Sequence, residues 1–414
     1  MKRLTTSILC VILAGVLLLS CTSCGLRVSA AELSKGYERT ATETGEITEA
    51  FKTAMADFSM SLFQGLVTKD SENDLISPLS AVICLAMIAN GADGETKAQM
   101  ETAFGMDINA LNQSLYAYTS SLYRADDCKL NLADSIWFRD EENRLHVNEE
   151  FLQTNADWYD AQIYSAPFDD STLTDINHWC KKYTDGMIEK MIDEIDDDTV
   201  MYLVNALTFD AKWAKKYEKK DVNEAQFTNY DGSKNTVQML SSEESVFLSA
   251  DGVKGFAKNY AGDKYSIVGL LPDEKTDIYD YIASLTGEQW MNLWNGRQTA
   301  SVSVQMPEFS YSVGMRMNDT LKAMGMTDMF DGNADFSKLG YSENGNIHCS
   351  EVCQKTFIQV DRNGTKAAAI TWGALKDLAC VAELYRVILD RPFIYAIVDN
   401  ATGLPIFVGA VTAL

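Results

Sequence analysis

Apolar positions divide the chain into segments of different period. Ile8–Leu19 is an apolar run behind Lys2 and Arg3, too short to cross a bilayer but of the length of a secretory signal core. From Gly25 to Ala50 the residues are polar, rich in Thr, Glu and Ser, with isolated apolar positions and no sustained period. That pattern predicts a flexible tether. Phe51 begins the packed body. Ser77-Pro78 supplies an N-cap hydroxyl and a proline at the first helical position, Leu79–Ala89 is apolar on every side, and Asn90-Gly91 stops it. The spacing predicts a helix central to the core. Ala133–Phe138 and Val200–Phe209 read as strands, the second long enough to lie in the middle of a sheet. Between them Ile176, Trp179, Cys180, Tyr183, Met187, Ile188 and Met191 recur at three- and four-residue steps, which predicts one amphipathic helix with its polar face outward. Ser301–Phe309 alternates as a strand, Asn318–Met324 turns helical, and Pro392–Val398 with Leu404–Val411 flanks Asp399–Gly403 as a hairpin. Helices and strands mix without a regular βαβ alternation, so the fold class is α+β with large antiparallel or mixed sheets.

A chain of 414 residues has room for two or three domains. From Phe51 on, however, there is no Pro/Gly/Ser linker and no repeat, so the expected division is a signal peptide over 1–20, a tether over 21–50 and one domain over 51–414. Hydrophobic residues at 46% and charged residues at 23% suit a large buried core. The charge balance, 35 basic against 59 acidic residues for a net −24, repels phosphate backbones and anionic membrane surfaces and excludes nucleic acid as a natural partner. Leu18, Leu19 and Ser20 before Cys21 look like a bacterial lipobox. That motif predicts lipid attachment at Cys21 and a cell-surface location, with a membrane touched only through the anchor. Cleavage after Val28-Ser29-Ala30 is the alternative and gives a freely secreted protein. Beyond Cys10 and Cys21 there remain Cys24, Cys84, Cys128, Cys180, Cys349, Cys353 and Cys380. An odd, scattered set in a chain this long predicts buried thiols rather than a disulfide framework.

Catalytic chemistry finds few candidates. His146, His178 and His348 are the only histidines, and no HExxH, GxSxG, Walker or GxGxxG motif accompanies them. His348-Cys349 with Cys353 has a metal flavour but no second close pair, so no metal and no cofactor is expected. The acidic run Asp193, Glu194, Asp196, Asp197 and Asp198 lacks the glycine and terminal Glu of a calcium loop and reads as solvated. Trp137, Trp179 and Trp213 sit in apolar patterns and read as core. By elimination the chain binds or traps something.

Several stretches, in order, resemble the serpin family. Ile76-Ser77-Pro78-Leu79-Ser80 followed by Asn90-Gly91-Ala92-Asp93-Gly94-Glu95-Thr96 is similar to the family's central-helix signature. Asn205-Ala206-Leu207-Thr208-Phe209 leading to Trp213 resembles its central strand, and Leu270-Leu271-Pro272-Asp273 is similar to a further landmark. Leu321–Met329 with Ala334-Asp335-Phe336-Ser337 resembles the helix and turn before the reactive loop. Lys355-Thr356-Phe357 to Ala369, and Arg391-Pro392-Phe393 with Asn400 to Gly409, are similar to the loop's two anchors. The resemblance implies three β-sheets, about nine helices and an exposed reactive-centre loop. It implies a monomer that is an inhibitor of extracellular serine proteases rather than an enzyme. In the family the protease forms an acyl bond with the loop, and the cut loop then inserts as a new strand and deforms the enzyme before water releases it. Insertion adds ladder bonds at about 1 kcal/mol each, so the uncut fold is metastable.

The residues can be compared with that demand. Gly364, Thr365, Ala367, Ala368, Ala369 and Thr371 form a small-residue hinge around Lys366. A strand puts alternate residues on opposite faces. With Lys366 outward, Thr365, Ala367, Ala369 and Thr371 turn inward and are all small, while Ile370 and Trp372 fall outside. The alternative, an alanine-rich helix, is disfavoured by Asn363-Gly364 before the segment and Thr371, Trp372 and Gly373 after it. The family's inhibitory members usually carry acidic residues just before the hinge glycine, where this chain has Arg362 and Asn363. The family's count from Gly364 implies that the reactive bond is Leu378–Ala379. Leu375, Leu378, Ala379, Cys380 and Val381 are uncharged, so proteases of elastase, chymotrypsin or subtilisin type are the implied targets, although Lys376 keeps a trypsin-like enzyme open. Cys380 reads as passive, with a redox-sensitive thiol as the alternative. Other readings are a non-inhibitory serpin cleaved as a substrate and a solute-binding lipoprotein.

Overall fold

All twelve residues of helix Pro78–Ala89 are buried. The Ser77 hydroxyl accepts from the Ser80 amide at 3.3 Å and donates to the Ile406 carbonyl at 2.8 Å, so the cap that starts the helix also ties it to the strand Pro405–Val411. The structure is a computed structural model that describes residues 28–69, 71–122, 127–140, 144–196, 199–343, 345–365 and 384–414. Among them are nine α-helices and three β-sheets in an α+β fold. The seven-stranded sheet runs Ala31–Glu32, Gln162–Ala166, Cys128–Arg139, Met201–Lys212, Gly364–Thr365, Glu351–Asp361, Phe309–Arg316. The nine-stranded sheet runs Leu384–Ile388, Gln298–Pro307, Lys234–Ala250, Val253–Asn259, Tyr265–Pro272, Phe393–Asp399, Pro405–Val411, Asn73–Ile76, with Val222–Thr228 paired to Lys234–Ala250 off that path. A small pair joins Leu145–Val147 to Gly340–Ser342. No helix among the described residues is long and apolar enough to cross a membrane.

Three elements differ from expectation. The helix predicted through Met191 is Asp170–Tyr183. Asp185 and Gly186 then adopt positive φ, 51° and 78°, and the chain turns. Ile188, Met191 and Ile192 nevertheless bury against Trp137, Trp179 and Tyr202 in one apolar cluster, so a loop prolongs the helical spacing. The alternating run over Ser301–Phe309 is two strands. Pro307 ends one in the nine-stranded sheet and Phe309 starts another in the seven-stranded sheet. The third difference is the tether. Residues 28–48 lie along the body: Ala31 and Glu32 pair with Ser165 and Tyr164 at the sheet edge. Asp175 Oδ2 accepts from the Ser29 amide, the Ser29 hydroxyl and the Ala30 amide at 2.9, 2.7 and 2.8 Å. The Arg39 guanidinium stacks 3.6 Å from the Tyr116 ring centre. Edge pairing and side-chain hydrogen bonds order a polar segment that has no apolar period of its own.

Candidate functional site: a hinge turn between two strands

Strand Glu351–Asp361 reverses through Arg362 and Asn363, so that Val360 pairs with Thr365 and Asp361 with Gly364. The Asp361 carboxylate holds the turn, accepting from the amides of Asn363 at 2.6 Å and Gly364 at 3.3 Å. Asn and Asp favour such turns because their side chains bond the backbone two residues on. Gly364 and Thr365 also pair antiparallel with Lys212 and Ala211 on the other side. The close approach dictates the glycine: a Cβ on Gly364 would lie 2.1 Å from the Ala211 carbonyl oxygen. Thr365 points inward at 2% exposure, and its Oγ1 is hydrogen-bonded to the Tyr260 hydroxyl at 2.7 Å. Burial pushes the Tyr260 phenol far above its usual range, so it stays neutral.

The turn is clasped from the far end of the central strand. Trp213 donates its indole N–H to the Asp361 carbonyl at 2.8 Å and its backbone N–H to the Asn363 carbonyl at 3.2 Å, while the Tyr217 amide donates to the Arg362 carbonyl at 3.3 Å. Trp213 also stacks on Tyr260, 4.6 Å between centres and 11° between planes. Arg362, which departs from the family's acidic residue, meets an acid here instead. Its amide donates to Glu308 Oε1 at 3.1 Å and its Nε lies 3.5 Å from the same oxygen. Glu308 sits at the junction where the chain passes from one sheet to the other.

Further down, the two strands flanking the hinge pair directly. Parallel pairing runs from Tyr202↔Glu351 to Ala206↔Lys355, and the hinge residues separate the strands at the opposite end. The backbone of Asn205 pairs with Asp134 on one side and with Gln354 on the other. Along Glu351–Asp361 the buried positions Val352, Gln354, Thr356, Ile358 and Val360 alternate, and two of them are polar. Gln354 accepts from the Ser77 amide at 2.8 Å and donates to the Ser77 carbonyl at 2.9 Å. Thr356 donates to the Leu75 carbonyl at 2.9 Å. These bonds fasten the strand to the start of the buried helix. The sequence reading missed Gln354, Tyr217 and Tyr260; a Gln among inward apolar positions was the one available signal for the first.

Ala367, Ala368, Ala369, Thr371, Leu378 and Ala379 lie outside the described residues, as does Cys21. Cys84, Cys128, Cys180 and Cys349 are free and buried, and Cys353 is free and half-buried. Burial raises the thiols, Cys128 and Cys180 to about 12, which keeps both protonated and inert. Among the described residues no group of three His, Cys, Asp or Glu is placed to hold a metal ion.

The family profile for serpin (serine protease inhibitor) matches residues 53–414. The chain belongs to the serpin family. Serpins are mostly serine protease inhibitors and not enzymes. Among relatives, glia-derived nexin from Rattus norvegicus is 30% identical over 375 residues, covering 86% of this serpin and 91% of the nexin. Among solved structures, the thermophilic serpin tengpin in its native state is 44% identical, with a TM-score of 0.89 over 93% of this chain and 100% of tengpin. Tengpin in its latent state is 46% identical, with a TM-score of 0.79 over 89% of this chain and 99% of tengpin.

Proposed function

We propose that this serpin inhibits extracellular serine proteases of elastase, chymotrypsin or subtilisin type by a one-use covalent trap. The observation that carries the reading is the position of Gly364–Thr365. These residues are already the first two of a strand, antiparallel to both neighbours, and continuing the same alternation would feed small residues inward. The higher TM-score against native than against latent tengpin, 0.89 against 0.79, supports a starting state in which insertion has only begun. In the trap the protease serine Oγ attacks the Leu378 carbonyl. An ester forms, the peptide bond to Ala379 breaks, and the Ala379 nitrogen takes the proton and leaves as a new amino terminus. The freed segment then advances from Thr365 toward the paired region. There it must replace the five residue pairs from Tyr202↔Glu351 to Ala206↔Lys355 with two new ladders, so each broken bond is more than matched.

The same reading assigns the protein to the cell surface, held by lipid at Cys21, with free secretion as the alternative. Mass spectrometry of the loop after brief exposure to a panel of elastase-like, chymotrypsin-like and trypsin-like enzymes tests the specificity. Cleavage between Leu378 and Ala379 by the first two is expected. Productive cleavage only after Lys376 would overturn the assignment.

A further inference from the structure

Lys258 lies in strand Val253–Asn259 with 2% exposure, after Ala257 at 4% and two residues before Tyr260 at 0%. A buried ammonium is costly and is retained only with strong partners. Its Nζ is 2.8 Å from Glu244 Oε1, and it also sits over two aromatic faces, 4.5 Å from the Tyr217 centre and 5.5 Å from the Trp213 centre. Those rings stand edge to face, 6.2 Å apart at 89°. They belong to the two residues whose amides hold the hinge turn, Trp213 through Asn363 and Tyr217 through Arg362. Lys258, in Val253–Asn259, and Glu244, in Lys234–Ala250, both come from the nine-stranded sheet. The rings lie on the segment that leaves the seven-stranded sheet after Lys212, with Trp213 bridged to Tyr260, and the turn leaves that sheet after Asp361.

We propose that Lys258 is a positioning residue that sets the hinge clasp: its cation, anchored by Glu244, holds the Tyr217 and Trp213 rings so that their amides grip Arg362 and Asn363. A buried ion pair is weak evidence for stability, because a matched apolar replacement is commonly neutral or stabilising. The pair's worth therefore lies in where it holds the rings. Loss of the cation loosens the turn without unfolding the body, and the hinge advances into the sheet before any protease arrives. That last consequence rests on the trap proposed above; the clasp itself does not.

The test compares Lys258→Leu/Glu244→Gln, which removes both charges together, with Lys258→Arg, which keeps the cation. Amide hydrogen exchange is read at Trp213 and Tyr217 in the full chain. The double variant should exchange about tenfold faster at these two amides, as loss of a desolvated cation–π contact implies, with amides of Pro78–Ala89 unchanged. Arginine should restore slow exchange. Tryptophan emission should shift in the double variant and not in the arginine variant. If the double variant does not fold, Glu244→Gln alone, which frees the ammonium from its anchor, should show the same local acceleration. Unchanged exchange at Trp213 and Tyr217 in whichever variant folds, or equal acceleration throughout the protein, would overturn the proposal. The lifetime of inhibitory activity on storage should also shorten. Absence of inhibition in the wild type would defeat the trap reading while leaving the exchange result to decide the clasp.

Discussion

The hydroxyls of Tyr260 and Thr365 are hydrogen-bonded at 2.7 Å beneath the seven-stranded sheet, both residues buried at 0% and 2% exposure. This bond joins a residue beside the central strand to the second residue of the short strand Gly364–Thr365. Tyr260→Phe leaves the threonine hydroxyl buried without that partner and should lower stability by about 1–3 kcal/mol. Tyr260→Phe/Thr365→Val removes both polar groups and should recover most of the loss. Thermal unfolding of the two single variants and the double variant gives the coupling directly; additive effects would mean the hydroxyls do not act together.

Gly364 has space for no side chain, since a Cβ would meet the Ala211 carbonyl at 2.1 Å and the Lys212 Cα at 2.7 Å. Gly364→Val should therefore expel the hinge from between its two strands. The expected result is faster proteolysis at the hinge and cleavage of the loop as a plain substrate. A variant with wild-type protection would show that the strands simply spread to accept it.

If the loop inserts as proposed, strand alternation would put Ala369 and Ile370 on opposite faces. Ala369→Glu would carry an unpaired carboxylate into the interior on insertion, a penalty of several kcal/mol, so deacylation should win and the variant should turn over as a substrate. Ile370→Glu, on the outer face, should keep far more inhibition. The ratio of cleaved to complexed serpin on a gel measures both, and equal behaviour would reverse the assignment of faces.

Asp74 is 1% exposed in strand Asn73–Ile76, and burial pushes its carboxyl up from 3.8 to about 6, against the lowering effect of the Ser71 hydroxyl, which donates to both oxygens at 2.8 and 2.9 Å. Between these two values the folded protein holds a proton that the unfolded chain has released. Stability from this group is therefore present in acid and is lost as pH rises from about 4 to about 6, by roughly 3 kcal/mol at most. Asp74→Asn has no such loss. The difference in Tm between variant and wild type should move in the variant's favour across that window and stay constant above it.

Much of this was legible in sequence because the strongest patterns are also the most buried. An all-apolar run with Ser77-Pro78 before it can only be a central helix, and Phe393–Asp399 with Pro405–Val411 forms the antiparallel hairpin its turn residues announce. The illegible parts arise from long-range contact. Ile188 and Met191 keep helical spacing while lying in a loop, because the same cluster that buries the helix buries them. Residues 28–48 carry no period, and their order comes from partners more than a hundred residues away, Asp175 for Ser29 and Asp157 for Thr40. At the hinge, Gly364 and its small neighbours were visible as composition. The clasp was not, since Trp213, Tyr217, Tyr260 and Lys258 converge only when the two sheets meet.

The most direct test of the trap is incubation with a chymotrypsin-like or elastase-like protease at increasing serpin ratios, followed by denaturing electrophoresis and residual activity. The account predicts a detergent-stable covalent complex of one serpin and one protease, with activity extinguished near equal stoichiometry. Quantitative cleavage of the loop, with the protease fully active and no stable complex, would contradict it.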